Sequence, residues 1–232
     1  TERMLNLKPE QNDGKTIISI TGGTPLAARP FAVPGDPSSA AFFIVAGLIV
    51  PRSEIKISNV GLNPSRIGFL NVLKAMGGSI TIESERIVGG EPLGDIIVRT
   101  SQLTTDVVLQ GAVIPNFIDE IPILSIAAAF AAGTFEVRDA LDLRNKETDR
   151  IAAVCSNLRR MGIDVQENSD GFAFESKKDL LSSAFDSFDD HRIAMAFGIA
   201  GLALEKESTI INAECVSISF PTFWETVQSL QR

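Results

Sequence analysis

The chain has 232 residues, enough for one large domain or two small ones. Hydrophobic residues make up 44% of it, which supplies a sizeable core and excludes a disordered chain. The formal net charge of -8 excludes a surface built to coat nucleic acid or another polyanion, so an anionic ligand has to be held by local cations. The longest apolar runs, 40–50 and 121–132, are too short to cross a bilayer, and no signal-peptide pattern opens the chain. Cys155 and Cys215 lie far apart without metal-ligand spacing and fit a reduced, cytosolic compartment.

Residues 1–7 read like the end of a helix already under way, so the chain is expected to be a piece of a longer protein. From there three segments share one grammar: a polar cap, an apolar helix rich in Ala and Phe, a Gly or Pro stop, and a strand. In the first, the cap at 34–39 precedes a helix over 40–50 and a strand over 54–58. In the second, 118–121 precedes a helix over 122–132 and a strand over 134–138. In the third, 189–192 precedes a helix over 193–204 and a strand over 208–212. Each strand leads to a second helix, over 65–76, 148–161 and 220–230, and the first two of these end in Met-Gly, the expected C-terminal stop. Paired strands follow, 79–83 with 95–99 and 164–167 with 171–175.

The unit is β-α-β-α-β-β, repeated about three times, which is longer than the short solenoid repeats. The helices over 40–50, 122–132 and 193–204 are apolar on nearly every face and must be buried. The expected fold is therefore α/β (α+β), an inside-out, barrel-like domain with these helices in its centre and the sheets outside.

Two charged corners stand at helix heads. One is Asn145-Lys146-Glu147-Thr148-Asp149-Arg150, and the other is Asp189-Asp190-His191-Arg192. On a helix starting near Glu147, Lys146 and Arg150 lie about one turn apart and can face one space. The first turn also presents unpaired N–H groups, which suits an anionic ligand. The structural alternative is an ordinary charged helix start, with Thr148 or Asp149 as cap and Glu147–Arg150 as a surface pair. Asp36, Ser38 and Ser39 read as caps, and Trp224 and the phenylalanines as core. His191, the lone histidine, reads as structural, with Asp190 orienting that corner.

Lys146-Glu-Thr-Asp-Arg150 and Asp190-His-Arg192 on such a threefold domain resemble the enolpyruvyl transferases. Within them the resemblance is strongest to the 5-enolpyruvylshikimate-3-phosphate synthase family, also called 3-phosphoshikimate 1-carboxyvinyltransferases. Pro34-Gly-Asp-Pro-Ser-Ser-Ala-Ala-Phe-Phe43, Val60-Gly-Leu-Asn63 and Ser219-Phe-Pro221 fit the same family. The resemblance runs along the whole chain but covers only the C-terminal half of such an enzyme. It implies that residues 1–29 are the tail of the N-terminal domain and 30–232 the C-terminal domain, with the active site in the cleft between them.

The implied reaction adds the 5-hydroxyl of shikimate 3-phosphate to C2 of phosphoenolpyruvate. The methylene carbon takes up a proton, a tetrahedral intermediate forms, and phosphate leaves. An acid, a base and cations for a carboxylate and two phosphates are needed, and no metal or cofactor. By the resemblance, Glu147 is the proton-transfer carboxylate. Asp119 contacts the sugar-ring hydroxyl and acts as base, although by position alone it reads as an N-cap. Lys146 binds shikimate 3-phosphate, while Arg150 and Arg192 clamp phosphoenolpyruvate with their planar forks. Asn63, Ser65 and Arg66 hold the equivalent corner of the first unit and read as hinge or structural residues. Asp142 and Ile218 stand where some members carry a ligand-binding asparagine and lysine. Two other readings share the fold: transfer to UDP-N-acetylglucosamine, and a non-catalytic scaffold.

Overall fold

A helix with no polar face has to be enclosed by protein, and here the enclosure is made by repeats of one unit. The computed structural model describes residues 2, 3, 5, 7–25 and 32–230. A small exposed hairpin, β1 (Glu10–Asn12) with β2 (Lys15–Ile17), comes first. In the first unit Gly35 bridges Val60 in parallel, in place of an opening strand. Then come α1 (Pro37–Ile49), β3 (Glu54–Gly61), α2 (Gly68–Ala75), β4 (Ser79–Val88) and β5 (Glu91–Arg99). The second unit runs β6 (Thr104–Leu109), α3 (Ile121–Ala129), β7 (Ala132–Val137), α4 (Arg150–Arg160), β8 (Val165–Asn168) and β9 (Gly171–Glu175). The third runs β10 (Ala184–Asp186), α5 (His191–Ala203), β11 (Thr209–Ile211) and α6 (Phe223–Leu230).

Helices α1, α3 and α5 pack against one another in all three pairings. Every residue of α3 is buried, as are Ala40 to Leu48 of α1. The sheets lie outside them, in the orders β3-β5-β4, β6-β7-β9-β8 and β10-β11. In each unit the strand before the buried helix pairs in parallel with the strand after it: Gly35 with Val60, β6 with β7, β10 with β11. Inward residues such as Ile96 and Val98 of β5, and Phe135 and Val137 of β7, seal the core. Phe135, Phe172 and Phe174 stack across β7 and β9 with centroids 5.6–6.5 Å apart. Helices α2 and α4 bury one face each and stop at Gly77 (φ +91°) and Gly162 (φ +85°). There the amide of Ile163 bonds back to Leu158, and that of Gly78 to Leu73, satisfying carbonyls the helix leaves free. No helix among the described residues is long and apolar enough to cross a membrane.

Several boundaries differ from the sequence expectation. The strands β6 and β10 open their units in stretches with no strong apolar alternation, and parallel pairing inside the sheet makes them strands. The helix expected over 122–132 ends at Ala129, because Ala132 already pairs with Thr104. Gly133 sits at φ +123° with Thr105 O so close that a Cβ would lie 1.8 Å away. The helix expected from 148 begins at Arg150, and that expected from 65 begins at Gly68. The domain boundary expected at residues 29 and 30 lies outside the described residues.

Candidate active site

Parallel strand–helix–strand units place helix heads at the same end of their sheets, so the heads of α1, α3 and α5 gather. Two of these heads carry aspartate caps. Asp36 accepts from the amides of Ser38 (3.2 Å) and Ser39 (3.0 Å). Asp190 Oδ1 accepts from those of Arg192 (2.8 Å) and Ile193 (3.3 Å). The α3 head is different. A 3₁₀ turn, Ile118–Glu120, runs into it, and no side chain caps it. Asp119 therefore does not act as the N-cap that position alone suggested, and its carboxylate points at cations.

Asp119 Oδ1 lies 3.1 Å from Lys146 Nζ and accepts from Arg150 Nη1 at 3.0 Å. Arg192 Nη1 donates to the Asp119 backbone oxygen at 3.2 Å, and Arg192 Nη2 is 3.7 Å from Oδ2. Arg150 Nη2 donates to Glu147 Oε2 at 2.6 Å, and Nε to Asp190 Oδ2 at 2.7 Å. All five residues singled out in the sequence, Asp119, Lys146, Glu147, Arg150 and Arg192, thus meet at one place. Burial favours protonation of Asp119, but the charge of Arg192, followed by Lys146 and Arg150, outweighs it and holds the carboxyl below its ordinary range.

The local path to this cluster differs from the expected one. Lys146 and Glu147 precede α4 and lie outside its first turn. Helical periodicity does not bring Lys146 to Arg150; their shared acceptor, Asp119, does. Asp149 caps α4 by accepting from the Ala152 amide at 3.0 Å, and its second oxygen takes Arg144 Nη1 at 2.6 Å. Arg144 also donates to the carbonyls of Ser169 and Asn168, both at 2.6 Å. That guanidinium ties the Lys146–Glu147 corner to the β8–β9 turn. The Glu147–Arg150 pair exists as the surface reading expected, but Arg150 is 1% exposed while Glu147 is half exposed.

Arg150 is therefore enclosed by three carboxylates, those of Asp119, Glu147 and Asp190, whereas Lys146 and Arg192 are more open. His191 is buried, and that burial, more than any neighbouring charge, pushes its imidazole pKa down. This fits the structural role read for it. Asp142 and Ile218 are both exposed. The sequence reading missed Glu120, which is buried beside Arg192, and Arg144. The only signal for Glu120 was its place directly ahead of a helix apolar on all faces. Chemically, the cluster joins a cation group able to hold an anion to two partly exposed carboxylates able to move a proton.

Comparison with known proteins identifies the family. A family model described as EPSP synthase (3-phosphoshikimate 1-carboxyvinyltransferase) matches residues 1–227. A 3-phosphoshikimate 1-carboxyvinyltransferase of Salinibacter ruber is 49% identical over 97% of this chain and 52% of its own length. One of Syntrophomonas wolfei is 50% identical over 92% and 50%. The solved EPSP synthase of Acinetobacter baumannii superposes with a TM-score of 0.90 at 39% identity, over 99% of this chain and 53% of that one. The enolpyruvyl transferase NikO of Streptomyces tendae gives 0.70 at 18% identity, over 98% and 50%, and speaks to the fold alone. The chain spans about half the length of the curated relatives it matches.

Proposed function

The chain belongs to the EPSP synthase (3-phosphoshikimate 1-carboxyvinyltransferase) family, and from that membership we propose that it supplies the C-terminal half of an enolpyruvyl transferase site. The full protein moves the enolpyruvyl group of phosphoenolpyruvate to the 5-hydroxyl of shikimate 3-phosphate and releases phosphate, a step of aromatic amino acid biosynthesis. The observation that carries this reading is the convergence of Lys146, Arg150 and Arg192 on the Asp119 carboxylate, with Glu147 bonded to Arg150.

In this reading Asp119 takes the proton from the attacking hydroxyl; the neighbouring cations keep it ionised and also lower its proton affinity, so substrate that draws those cations away strengthens it as a base. Glu147, half exposed at the rim, exchanges a proton with the methylene carbon. Lys146 holds shikimate 3-phosphate. Arg192 and Arg150 balance the charge of phosphoenolpyruvate, which must compete with Asp119 and Glu147 for the Arg150 donors. An N-terminal domain, in about the length by which the relatives exceed this chain, closes the site and adds cations. Residues 1–29 belong to that domain and 30–232 to the C-terminal one. The compartment is the cytoplasm; both cysteines are free, as in a chain kept reduced, and burial pushes the Cys155 thiol up to about 12, which makes it unreactive.

The test is phosphate release by the full-length protein from phosphoenolpyruvate with shikimate 3-phosphate, run beside UDP-N-acetylglucosamine as acceptor. Release with the first acceptor alone is expected. Release with the sugar nucleotide would move the chain to the sister activity, and release with neither would make it a scaffold.

A further inference from the structure

Glu120 is the one carboxylate at the three helix heads without an evident task. It is 3% exposed, whereas the side chain of its neighbour Asp119 is 37% exposed. Its Oε1 is fully buried and has no hydrogen-bond partner among the described residues. A buried carboxyl oxygen left without a donor is costly, so its retention needs a reason. The groups facing it come from the first and third units. Arg192 Nη1, on α5, stands 3.6 Å from Oε1, beyond a hydrogen bond but close enough for strong attraction. The Ser38 hydroxyl faces it from α1. Ser38 in turn accepts from Arg66 Nη2 at 2.9 Å, and Arg66 lies 3.6 Å from Asp36.

The consequence falls on Arg192. Its guanidinium sits between two consecutive acids of the α3 head. Nη1 faces Glu120 and bonds the Asp119 carbonyl, and Nη2 stops 3.7 Å short of the Asp119 carboxylate. Nη2 therefore makes no hydrogen bond among the described residues. We propose that Glu120 is a positioning residue, a buried counter-charge that keeps the Arg192 fork from closing on Asp119 and leaves it aimed at the anionic substrate. Without that charge the fork is free to rotate onto Asp119 and form a bidentate pair, which occupies both the clamp and the base. This rests on the proposed enolpyruvyl transfer.

The substitution Glu120→Gln keeps the shape and removes the charge. In the full-length protein it should raise KM for phosphoenolpyruvate on the order of tenfold, the effect of losing about one charge-assisted contact. The KM for shikimate 3-phosphate should stay near wild type and kcat should fall less. Thermal stability should hold or rise, because a buried charge with one oxygen left unbonded has gone. A residue that merely supported the fold would do the reverse, lowering Tm and disturbing both KM values together. A crystal structure of the variant should show Arg192 bonded to the Asp119 carboxylate. An unmoved Arg192, an unchanged KM for phosphoenolpyruvate, or a loss of Tm with both KM values raised would overturn the proposal. If the wild-type full-length protein uses neither substrate, the functional reading falls, and the position of Arg192 in the Glu120→Gln crystal structure decides the role of Glu120 by itself.

Discussion

Arg150 Nε donates to Asp190 Oδ2 at 2.7 Å, and neither side chain reaches solvent. Asp190 also caps α5, so a single carboxylate joins the second unit to the third and holds the helix that carries Arg192. Removing one partner of a buried pair leaves the other charge uncompensated, a loss of about 3–5 kcal/mol. Asp190→Ala should therefore lower the urea midpoint of the chain sharply. Asp190→Asn retains an oxygen for the α5 amides and should lose less. Equal midpoints for the alanine variant and wild type would mean that this contact carries no stability.

The two arginines should respond differently to substitution by lysine. Arg150 serves three carboxylates from a buried position, and one ammonium cannot bridge them, so Arg150→Lys should reduce stability and also weaken phosphoenolpyruvate binding. Among the described residues Arg192 hydrogen-bonds only a backbone carbonyl, faces the Asp119 and Glu120 carboxylates at 3.7 and 3.6 Å, and keeps some exposure. Arg192→Lys should raise KM for phosphoenolpyruvate in the full-length protein, with a stability change within about 0.5 kcal/mol. Thermal melts beside steady-state kinetics separate the two, and a matching stability loss in both variants would contradict the assignment.

What the sequence made legible was whatever its periodicity or cap chemistry encodes. Helices α1, α3 and α5 read out because no face of them is polar, and Asp36 because a short acid before a helix has one common use, whereas Asp149 was one of two candidate caps and Asp190 was read only as orienting its corner. The two hairpins read out from paired β-rich runs bounded by turn residues. The start of α4 did not, since 145–149 contains no residue that forbids a helix. What sets the start there is the Asp149 cap on the Ala152 amide, a local contact, together with the hold of Arg144 on the β8–β9 turn, a tertiary one. The strands β6 and β10 were hidden for the same reason. The five candidate residues came from motif resemblance, whereas Glu120 and the enclosure of Arg150 required coordinates, because burial of a charge has no linear signature.

Asp119 makes stability depend on pH in a definite direction. Burial pulls its pKa up, but Arg192, Lys146 and Arg150 together hold it below the ordinary 3.8. A carboxylate so depressed stabilises the fold above its unfolded value and loses that contribution as pH falls through the folded one. Asp119→Asn should therefore be less stable than wild type at neutral pH, and the gap should close as the pH drops below 3.8. Glu120 acts in the opposite sense. Burial raises its pKa, so its ionised form costs stability at neutral pH and protonation relieves that cost. Urea titrations across pH 2–7 of wild type and Asp119→Asn would expose a gap that widens in acid, which would reverse the assignment.

Glu147 accepts from Arg150 at 2.6 Å while half exposed, so an amide in its place keeps both the shape and that bond. Glu147→Gln should therefore fold as wild type does. In the full-length protein it should lower kcat by roughly 10²–10⁴-fold, the usual contribution of a general acid–base group, with smaller changes in KM. A turnover number equal to wild type would remove Glu147 from proton transfer.

The 232-residue chain alone should fold and yet not catalyse. Folding follows from α1, α3 and α5 covering one another beneath sheets of the same chain, which leaves the central core no apolar face to share. Catalysis fails for an electrostatic reason. Lys146 and Arg150 already hold the Asp119 carboxylate, so the substrate anions would have to displace a protein carboxylate from two of the three cations. On an open face water also screens each of these contacts and lowers the return on that exchange. Titration of the chain with phosphoenolpyruvate or shikimate 3-phosphate should show weak binding, and phosphate release should be undetectable. Adding the N-terminal half as a separate polypeptide should restore release if the two halves dock. Turnover by the chain alone near that of the full-length protein would show that this half already holds a complete site, and the shared-site proposal would fall.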